Sequence, residues 1–189
     1  STLLQDRLYL NQGQRRFEKS TQRLPELAES GGHVCAGDYD HDGDLDLFVG
    51  GRIVPGQYPL APPSRIFENR SGQYIDVTSK VAPDMIGDRM VTSAIWSDAN
   101  DDGWIDLLVA QHWGPVEIFI NREGSLERQT NLCGLSEYTG WWNGIAGGDV
   151  DGDGDIDYVV TNQGLNTKYH ADSQHPTRLY YGDFDGSGT

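Results

Sequence analysis

Three acidic segments of the sequence place oxygen-bearing side chains at one fixed spacing. They are "DYDHDGDLDLFVGG" from Asp38, "DANDDGWIDLLVA" from Asp98 and "DVDGDGDIDYVVT" from Asp149. Each has Asp or Asn at positions 1, 3 and 5, Gly at position 6 and Asp at position 9. Two carboxylates about 4 Å apart repel by roughly 4 kcal/mol at an effective dielectric near 20. Folding such a segment therefore calls for a positive partner.

The donor pattern favours a calcium ion as that partner. Alternate residues converge when the backbone curls, and Ca²⁺ accepts six to eight oxygens, whereas Mg²⁺ needs a stricter octahedron and is second choice. A tryptophan at position 7 cannot ligate by its side chain, so this position is predicted to offer its backbone carbonyl. Valine at position 12 excludes an EF-hand, which needs glutamate there. The predicted ligands are Asp38, Asp40, Asp42, Asp44 and Asp46; Asp98, Asn100, Asp102, Trp104 and Asp106; and Asp149, Asp151, Asp153, Asp155 and Asp157.

The alternative interpretation is that these segments are solvated turns of an acidic surface. More than half of the 29 acidic residues lie in the three loops and in a partial fourth, "DFDGSGT" from Asp183. Because a merely solvated surface gives no reason to repeat the donor positions, we favour about three calcium sites. The partial loop has Ser187 at position 5 and lacks the ninth residue, so we do not expect it to hold a cation.

The composition is acidic throughout, with 14 Lys and Arg among 189 residues and a formal net charge of −15. Nucleic-acid binding requires a basic surface and is disfavoured. No apolar run approaches the ~18 residues that span a bilayer, so membrane insertion is not expected. The length suits one domain, and residues 1–189 are treated as a single unit.

A second motif recurs and ends in an asparagine turn. It reads "LYLNQG" at Asn11, "IFENRSG" at Asn69 and "IFINREG" at Asn121, and each asparagine precedes an acidic loop by 27 to 29 residues. Two motifs at a constant spacing indicate internal repeats. We place the units at residues 8–64, 65–115 and 116–177, with the start of another at 178–189.

Each unit contains about four short β-strands. Strands such as "SRIFE" end in the asparagine turns and return through Phe17, Tyr74 or Leu126, while small-residue strands such as "HVCAG" precede the acidic loops and apolar strands such as "LDLFV" follow them. Helical periodicity is confined to one turn at most, in "RLPELAES". The sequence predicts an all-β fold, a propeller of four-stranded blades with about three blades and the start of a fourth. A solenoid, whose repeats are usually shorter, is the alternative.

A partial propeller implies partners, because closed propellers usually have four to eight blades. The candidates are the remaining blades of a longer chain, which we favour, or further copies that pair through exposed edge strands.

Few residues outside the loops indicate chemistry. The five histidines form no zinc signature, and no nucleophile elbow or phosphate loop is present, so no catalytic residue is predicted. Cys35, in a core strand, is predicted to be a buried free thiol, and a disulfide with Cys133 is the alternative. The aromatic residues Tyr138, Trp141, Trp142 and Trp113 either pack between blades, which we favour, or stack on sugars and partner proteins.

The loops "DYDHDGDLDLFVGG" and "DVDGDGDIDYVV", with "LYYGDFDGSGT", resemble the FG-GAP/VCBS repeats of integrin-α-type β-propellers. The segment "GWWNGIAGGDVDGDGDIDYVVTNQGLNTKY" is similar to large bacterial VCBS-repeat proteins and to relatives of cartilage acidic protein. The resemblance implies a seven- or eight-bladed parent, calcium in the loops between adjacent strands and an extracellular, cell-surface or periplasmic location. Asn100 departs from the family pattern and lowers the ligand charge of the second loop.

These observations predict a calcium-stabilised extracellular scaffold for adhesion or for binding a protein or glycan. Two alternatives remain, namely part of a polysaccharide-active lyase or hydrolase and a self-assembling structural subunit. Millimolar calcium outside cells would fill sites with dissociation constants of about 10⁻⁴–10⁻³ M, and cytosolic calcium would not.

Overall fold

The computed structural model describes residues 5–85, 90–164, 167–172, 174–184 and 186. Over these ranges the secondary structure is strand, apart from one α-helical turn, α1 (Thr78–Val81), and one 3-10 turn (Pro83–Met85). The strands are β1 (Leu8–Asn11), β2 (Phe17–Ser20), β3 (Gly31–Gly37), β4 (Asp46–Gly51), β5 (Arg65–Arg70), β6 (Gln73–Asp76), β7 (Val91–Ser97), β8 (Asp106–Pro115), β9 (Glu117–Arg122), β10 (Ser125–Arg128), β11 (Thr139–Gly148) and β12 (Asp157–Asn162).

The all-β prediction is confirmed, and every strand pair is antiparallel. The segment "RLPELAES" is irregular, and the helical turns follow β6 instead. Asp76 explains their position, because its carboxylate accepts hydrogen bonds from both the backbone N–H and the hydroxyl of Thr78, at 3.0 and 2.6 Å. Such a local side-chain turn leaves no periodic apolar pattern in the sequence.

The sheets repeat one arrangement of strands. The first is ordered β3-β4-β5-β6, and β7, β8, β9 and β10 pair in the same way. Strands β11 and β12 form the next hairpin, and β11 also pairs with the far end of β8 through Thr139–Pro115 and Trp141–His112. Strands β1 and β2 form a separate pair. The structure thus shows successive antiparallel units of the kind that make up propeller blades.

The hydrogen-bonded sheets divide the chain at points other than the predicted limits of the units. One sheet covers residues 31–76, which crosses the predicted boundary between 64 and 65, and the other large sheet, which includes β11 and β12, covers residues 91–162. The period of the repeat is unaffected, since a repeat can be divided at any point along its length. The motif spacing gives the length of the repeat. The pairing of β4 with β5 across a long connection determines which strands belong to one sheet.

Strand β8 is buried on both faces, and side chains that alternate along it face different neighbours. Leu107 and Val109 belong to the core shared with the first sheet, where they join residues such as Phe48 and Val91. Leu108 belongs to a second core, against the β11–β12 hairpin. The units therefore pack face to face, with the β7–β10 unit in the middle.

The outer faces of this stack expose apolar side chains. Val34 on β3 is 53% exposed, and Val159 on β12 is 57% exposed. Within the described ranges, no helix is long and apolar enough to span a bilayer. Val34 and Val159 lie on the outer faces of the stack, whereas the equivalent faces of the middle unit, β7–β10, are buried.

Both cysteines are free thiols, so the alternative of a disulfide between them is not realised. Cys35 on β3 is half-buried against the first core, and burial raises the pKa of its thiol to about 12. Cys133 is exposed. The free state predicted for Cys35 is confirmed, whereas its side chain is half-buried and not fully buried as predicted.

Candidate metal centres

The three acidic loops occupy equivalent places in the fold, each between the first two strands of its repeated unit. The first acidic loop (residues 38–46) joins β3 to β4, the second (98–106) joins β7 to β8, and the third (149–157) joins β11 to β12. Because the units stack as layers in the same orientation, all three loops lie at one end of the stack.

The three loops also share one set of internal hydrogen bonds. The N–H of position 6 donates to the carboxylate of position 1 at 2.8–3.2 Å. The N–H of position 2 donates to the carboxylate of position 9 at 2.9–3.3 Å. Positions 3 and 5 accept from the N–H two residues later, at 2.8–3.3 Å. Since the other positions differ in sequence, these shared residues are what fixes the loop conformation.

Two positions of each loop have left-handed backbone. The glycine at position 6 has φ between 87° and 102° in the three loops, a conformation that glycine adopts without steric cost. Position 4 is also left-handed, with φ of 61° at His41, 55° at Asp101 and 81° at Gly152. Sequence reasoning missed this second requirement, and its one signal was the glycine at position 4 of the third loop.

The first acidic loop brings three carboxylates together. Oxygens of Asp38, Asp40 and Asp46 lie within 4.8 Å of one another, and Oδ1 of Asp38 is buried without a hydrogen-bond partner. Burial raises the pKa of Asp40 and raises that of Asp46 to about 6. Each carboxylate oxygen has two lone pairs, so one N–H bond leaves room for a cation. This oxygen-lined cluster with an unpartnered buried acceptor fits a Ca²⁺ ion.

The third acidic loop forms a similar but exposed cluster. Oxygens of Asp149, Asp151 and Asp153 lie within 4.8 Å of one another, and all three residues are exposed. These are positions 1, 3 and 5, the ones predicted to converge. They fit a cation that is also open to water ligands, which Ca²⁺ accepts.

The second acidic loop differs because Asn100 stands at position 3. Its amide donates to Oδ2 of Asp102 at 2.9 Å, and the guanidinium of Arg122 lies 3.6 Å from the same oxygen. Among the described residues, three convergent carboxylates occur in the first and third loops only. The predicted ligands of the second loop remain candidates, and we expect their affinity for calcium to be the lowest.

The ninth-position aspartate has a structural role that the sequence did not reveal. Asp46 and Asp106 are fully buried, and each accepts a second N–H at 2.7 Å, from Asn69 and Asn121 respectively. These asparagines belong to the second motif, so each one fastens the acidic loop that precedes it in the chain. Asp157 is exposed, whereas Asp46 and Asp106 accept hydrogen bonds from the β5–β6 and β9–β10 hairpins. This second hairpin of a unit is therefore what buries the aspartate at position 9.

The asparagine side chains complete this connection. The carbonyl oxygen of Asn121 accepts the N–H of Gly124 at 2.8 Å, and its amide donates to the backbone oxygens of Tyr39 at 2.8 Å and Ile105 at 3.0 Å. Tyr39 lies in the first acidic loop and Ile105 in the second. One buried amide therefore joins two loops that belong to neighbouring sheets.

A stacked pair of rings reinforces the same junction. The rings of His41 and Trp104 are 4.0 Å apart at an interplanar angle of 10°. They occupy position 4 of the first loop and position 7 of the second. This contact explains the side chain of Trp104, which the sequence assigned only a backbone role.

The opposite end of the stack holds a group of rings, here called the aromatic cluster: Tyr58, His112, Trp113 and Trp141. The indole N–H of Trp113 donates to the hydroxyl of Tyr58 at 2.8 Å. The ring of Trp141 lies 4.9 Å from that of Trp113 and 4.6 Å from that of His112. Tyr58 belongs to the connection between β4 and β5, so the cluster draws on three successive units.

The buried His112 predicts a pH effect on stability. Burial, together with a smaller effect of the charge of Arg52, lowers its pKa to about 4. Between pH 6.5 and about 4 the unfolded chain therefore binds a proton that the folded protein does not, so this contribution is complete above pH 6.5 and is lost as the pH falls. When the pH is lowered from 7 to 4.5, we expect the wild type to lose on the order of 2 kcal/mol more of its unfolding free energy than the His112→Gln variant loses. Urea unfolding at both pH values measures this, and parallel losses would contradict it.

The layered antiparallel units and the acidic, oxygen-lined loops that fit a cation define a class of β-repeat protein. Within this class, the family model described as FG-GAP-like repeat matches residues 4–49 and 98–160, which is more than half of the sequence. The chain belongs to the FG-GAP-like repeat family. A search of curated proteins gives no significant match. All three acidic loops lie within the matched segments.

Proposed function

We propose that the chain is a calcium-stabilised extracellular scaffold, part of a β-propeller, that serves binding or adhesion toward a protein or glycan. The observation that carries this proposal is the threefold repetition of one loop conformation, with clustered carboxylates in two of the loops. Mutual repulsion of these carboxylates is relieved by a dication, which would hold the first strand of each sheet to the second.

The extracellular location follows from the expected affinity. Exposed, water-accessible loops such as the third resemble extracellular modules, whose dissociation constants are about 10⁻⁴–10⁻³ M. Such sites are filled by millimolar calcium outside cells and stay largely unfilled at cytosolic levels. Calcium then acts as a structural component, and the ligand-binding role belongs to surfaces away from the loops.

Calcium stoichiometry tests the proposal. We expect equilibrium dialysis of chelator-treated protein against radioactive calcium to show about three sites, the weakest of them in the second loop. The Asp151→Ala variant removes one of three convergent carboxylates, so it should weaken one site roughly tenfold or more. Binding of no calcium at millimolar concentration would overturn the proposal.

The structure also determines the proper control for that variant. Glu117 lies outside the loops, but it is 5% exposed and its carboxylate is 3.4 Å from the guanidinium of Arg128. Removing it would leave the half-buried guanidinium of Arg128 without this ion pair. Glu137 is exposed and outside every loop, so Glu137→Ala is the matched control and should leave calcium binding unchanged.

A second candidate role, assembly with further units, is favoured by the edges of the stack. Strand β12 pairs with β11 alone among the described strands. Ile156, which precedes this strand, is 42% exposed, and Val159 on it is 57% exposed. An open edge with apolar neighbours readily accepts another strand. We propose that further blades of a longer chain, or a second copy, cover it. Light scattering over a concentration series detects self-association, and a monomer at every concentration favours the longer chain.

A further inference from the structure

The aromatic cluster lies far from the proposed calcium loops. Strand β8 begins at Asp106, the last residue of the second loop, and ends at Pro115, beside the cluster. Ten extended residues span roughly 30 Å. The cluster is therefore a separate feature of the molecule, which calcium in the loops would not contact.

Blade packing alone does not explain the geometry of Trp113. This residue has φ of 62°, a left-handed conformation that costs a bulky residue on the order of 1–2 kcal/mol, at a place where β8 is otherwise extended. The pairing of β8 with β11 also shifts register between Gly140 and Trp141. Local strain and bulges of this kind redirect side chains, and they concentrate at binding sites.

The rings are held rigidly while remaining accessible. The indole N–H of Trp113 is bonded to Tyr58, and that of Trp142 donates to the backbone oxygen of Gly114 at 3.0 Å. Tyr58 is 47% exposed, and Trp113 and Trp141 are half-buried. With their polar atoms satisfied internally, the rings offer their apolar faces without losing much conformational freedom on binding.

Polar groups adjoin His112, the fourth member of the cluster. The side chain of Asn143 hydrogen-bonds to His112, and Arg52 is close enough to shift the pKa of the same imidazole. Asn143 is exposed and Arg52 is half-buried. Aromatic faces that receive C–H groups, beside an amide and a guanidinium that reach hydroxyls, match the two-sided chemistry of a sugar ring.

We propose that the aromatic cluster is a binding site for neutral oligosaccharides, with Tyr58 and Trp113 as the stacking rings and with Asn143 and Arg52 as the hydroxyl-binding groups. This inference rests on the proposed binding role and specifies its ligand. Neutral sugars are favoured because the rings and the amide recognise C–H faces and hydroxyls, which every neutral sugar presents.

A glycan array of neutral and acidic oligosaccharides, probed in millimolar calcium, tests the proposal. We expect neutral glycans to be bound, and calorimetry with the best of them should show affinity about tenfold lower for Tyr58→Ala, since one stacked ring is lost. The exposed Tyr180 is outside the cluster, so Tyr180→Ala is the matched control and should keep full affinity. Tyr58→Phe retains the ring but loses the hydrogen bond from Trp113, so its affinity should lie between those of Tyr58→Ala and the wild type.

Each other outcome overturns the inference. An array without neutral hits, hits confined to acidic glycans, or equal affinity of Tyr58→Ala and the wild type would each exclude this site. Release of unsaturated or shortened sugars would replace binding with turnover. Thermal melting of each variant in calcium confirms its fold, and calcium-dependent melting without glycan binding would leave the proposed scaffold intact while removing this inference.

Discussion

Addition of a chelator is expected to lower the melting temperature by roughly 5–15 °C, and added calcium should restore it. At 2 mM calcium, a site with a dissociation constant of about 10⁻⁴–10⁻³ M contributes about 0.6–1.8 kcal/mol. Three such sites contribute about 2–5 kcal/mol, and each kcal/mol shifts the melting temperature of a chain of this size by about 2–4 °C. Differential scanning calorimetry with and without chelator measures the shift.

Magnesium and a loop variant serve as controls for this result. Mg²⁺ at the same concentration should restore less of the melting temperature, because the loops supply an irregular oxygen set. Asp151→Ala should reduce the calcium-dependent part of the shift, and Glu137→Ala should not. An identical melt with and without chelator would contradict a structural role for calcium.

The Asn121→Ala variant is expected to lose about 3–5 kcal/mol of unfolding free energy, whether or not calcium is present. The substitution removes three side-chain hydrogen bonds and leaves the oxygens of Tyr39 and Ile105 and the N–H of Gly124 without that partner in a buried site. Each buried group left unsatisfied costs about 1–3 kcal/mol. Urea unfolding followed by circular dichroism measures the loss.

The other two copies of the motif give a graded control series. Asn69 is half-buried and bonds to Leu45 and Gly72, at 3.2 and 2.6 Å. Asn11 is exposed and bonds to Gly13 alone among its described side-chain partners, at 2.9 Å. Asn69→Ala should therefore cost about 1–3 kcal/mol and Asn11→Ala less than about 1 kcal/mol. Equal losses at all three asparagines would show that turn formation, and not the bridge between loops, sets the cost.

The local features of this fold could be predicted because short-range chemistry determines them. The strands around the acidic loops and the asparagine turns lie where alternating apolar residues and turn residues indicated. The convergence of positions 1, 3 and 5 in the third loop followed from spacing and a glycine. In these places a few consecutive residues contain all of the information.

The remaining features depend on contacts between distant segments. The bridge from Asn121 to Tyr39 spans 82 residues, and the contact from Trp113 to Tyr58 spans 55. The boundary of the first sheet depends on β4 pairing with β5 across a connection without periodic pattern. No local pattern specifies such pairings, so the limits of the sheets, the bridging role of Asn121 and the contact of Tyr58 with Trp113 emerged from the structure alone.

The double burial of β8 has a consequence for how the molecule opens. Its amide protons should be the slowest to exchange with deuterated solvent, since they are released only when both neighbouring layers separate. Protons of β12, which has one described neighbour, should exchange early. Proteases should accordingly trim the array from its outer layers inward and leave a resistant fragment that centres on residues 91–128.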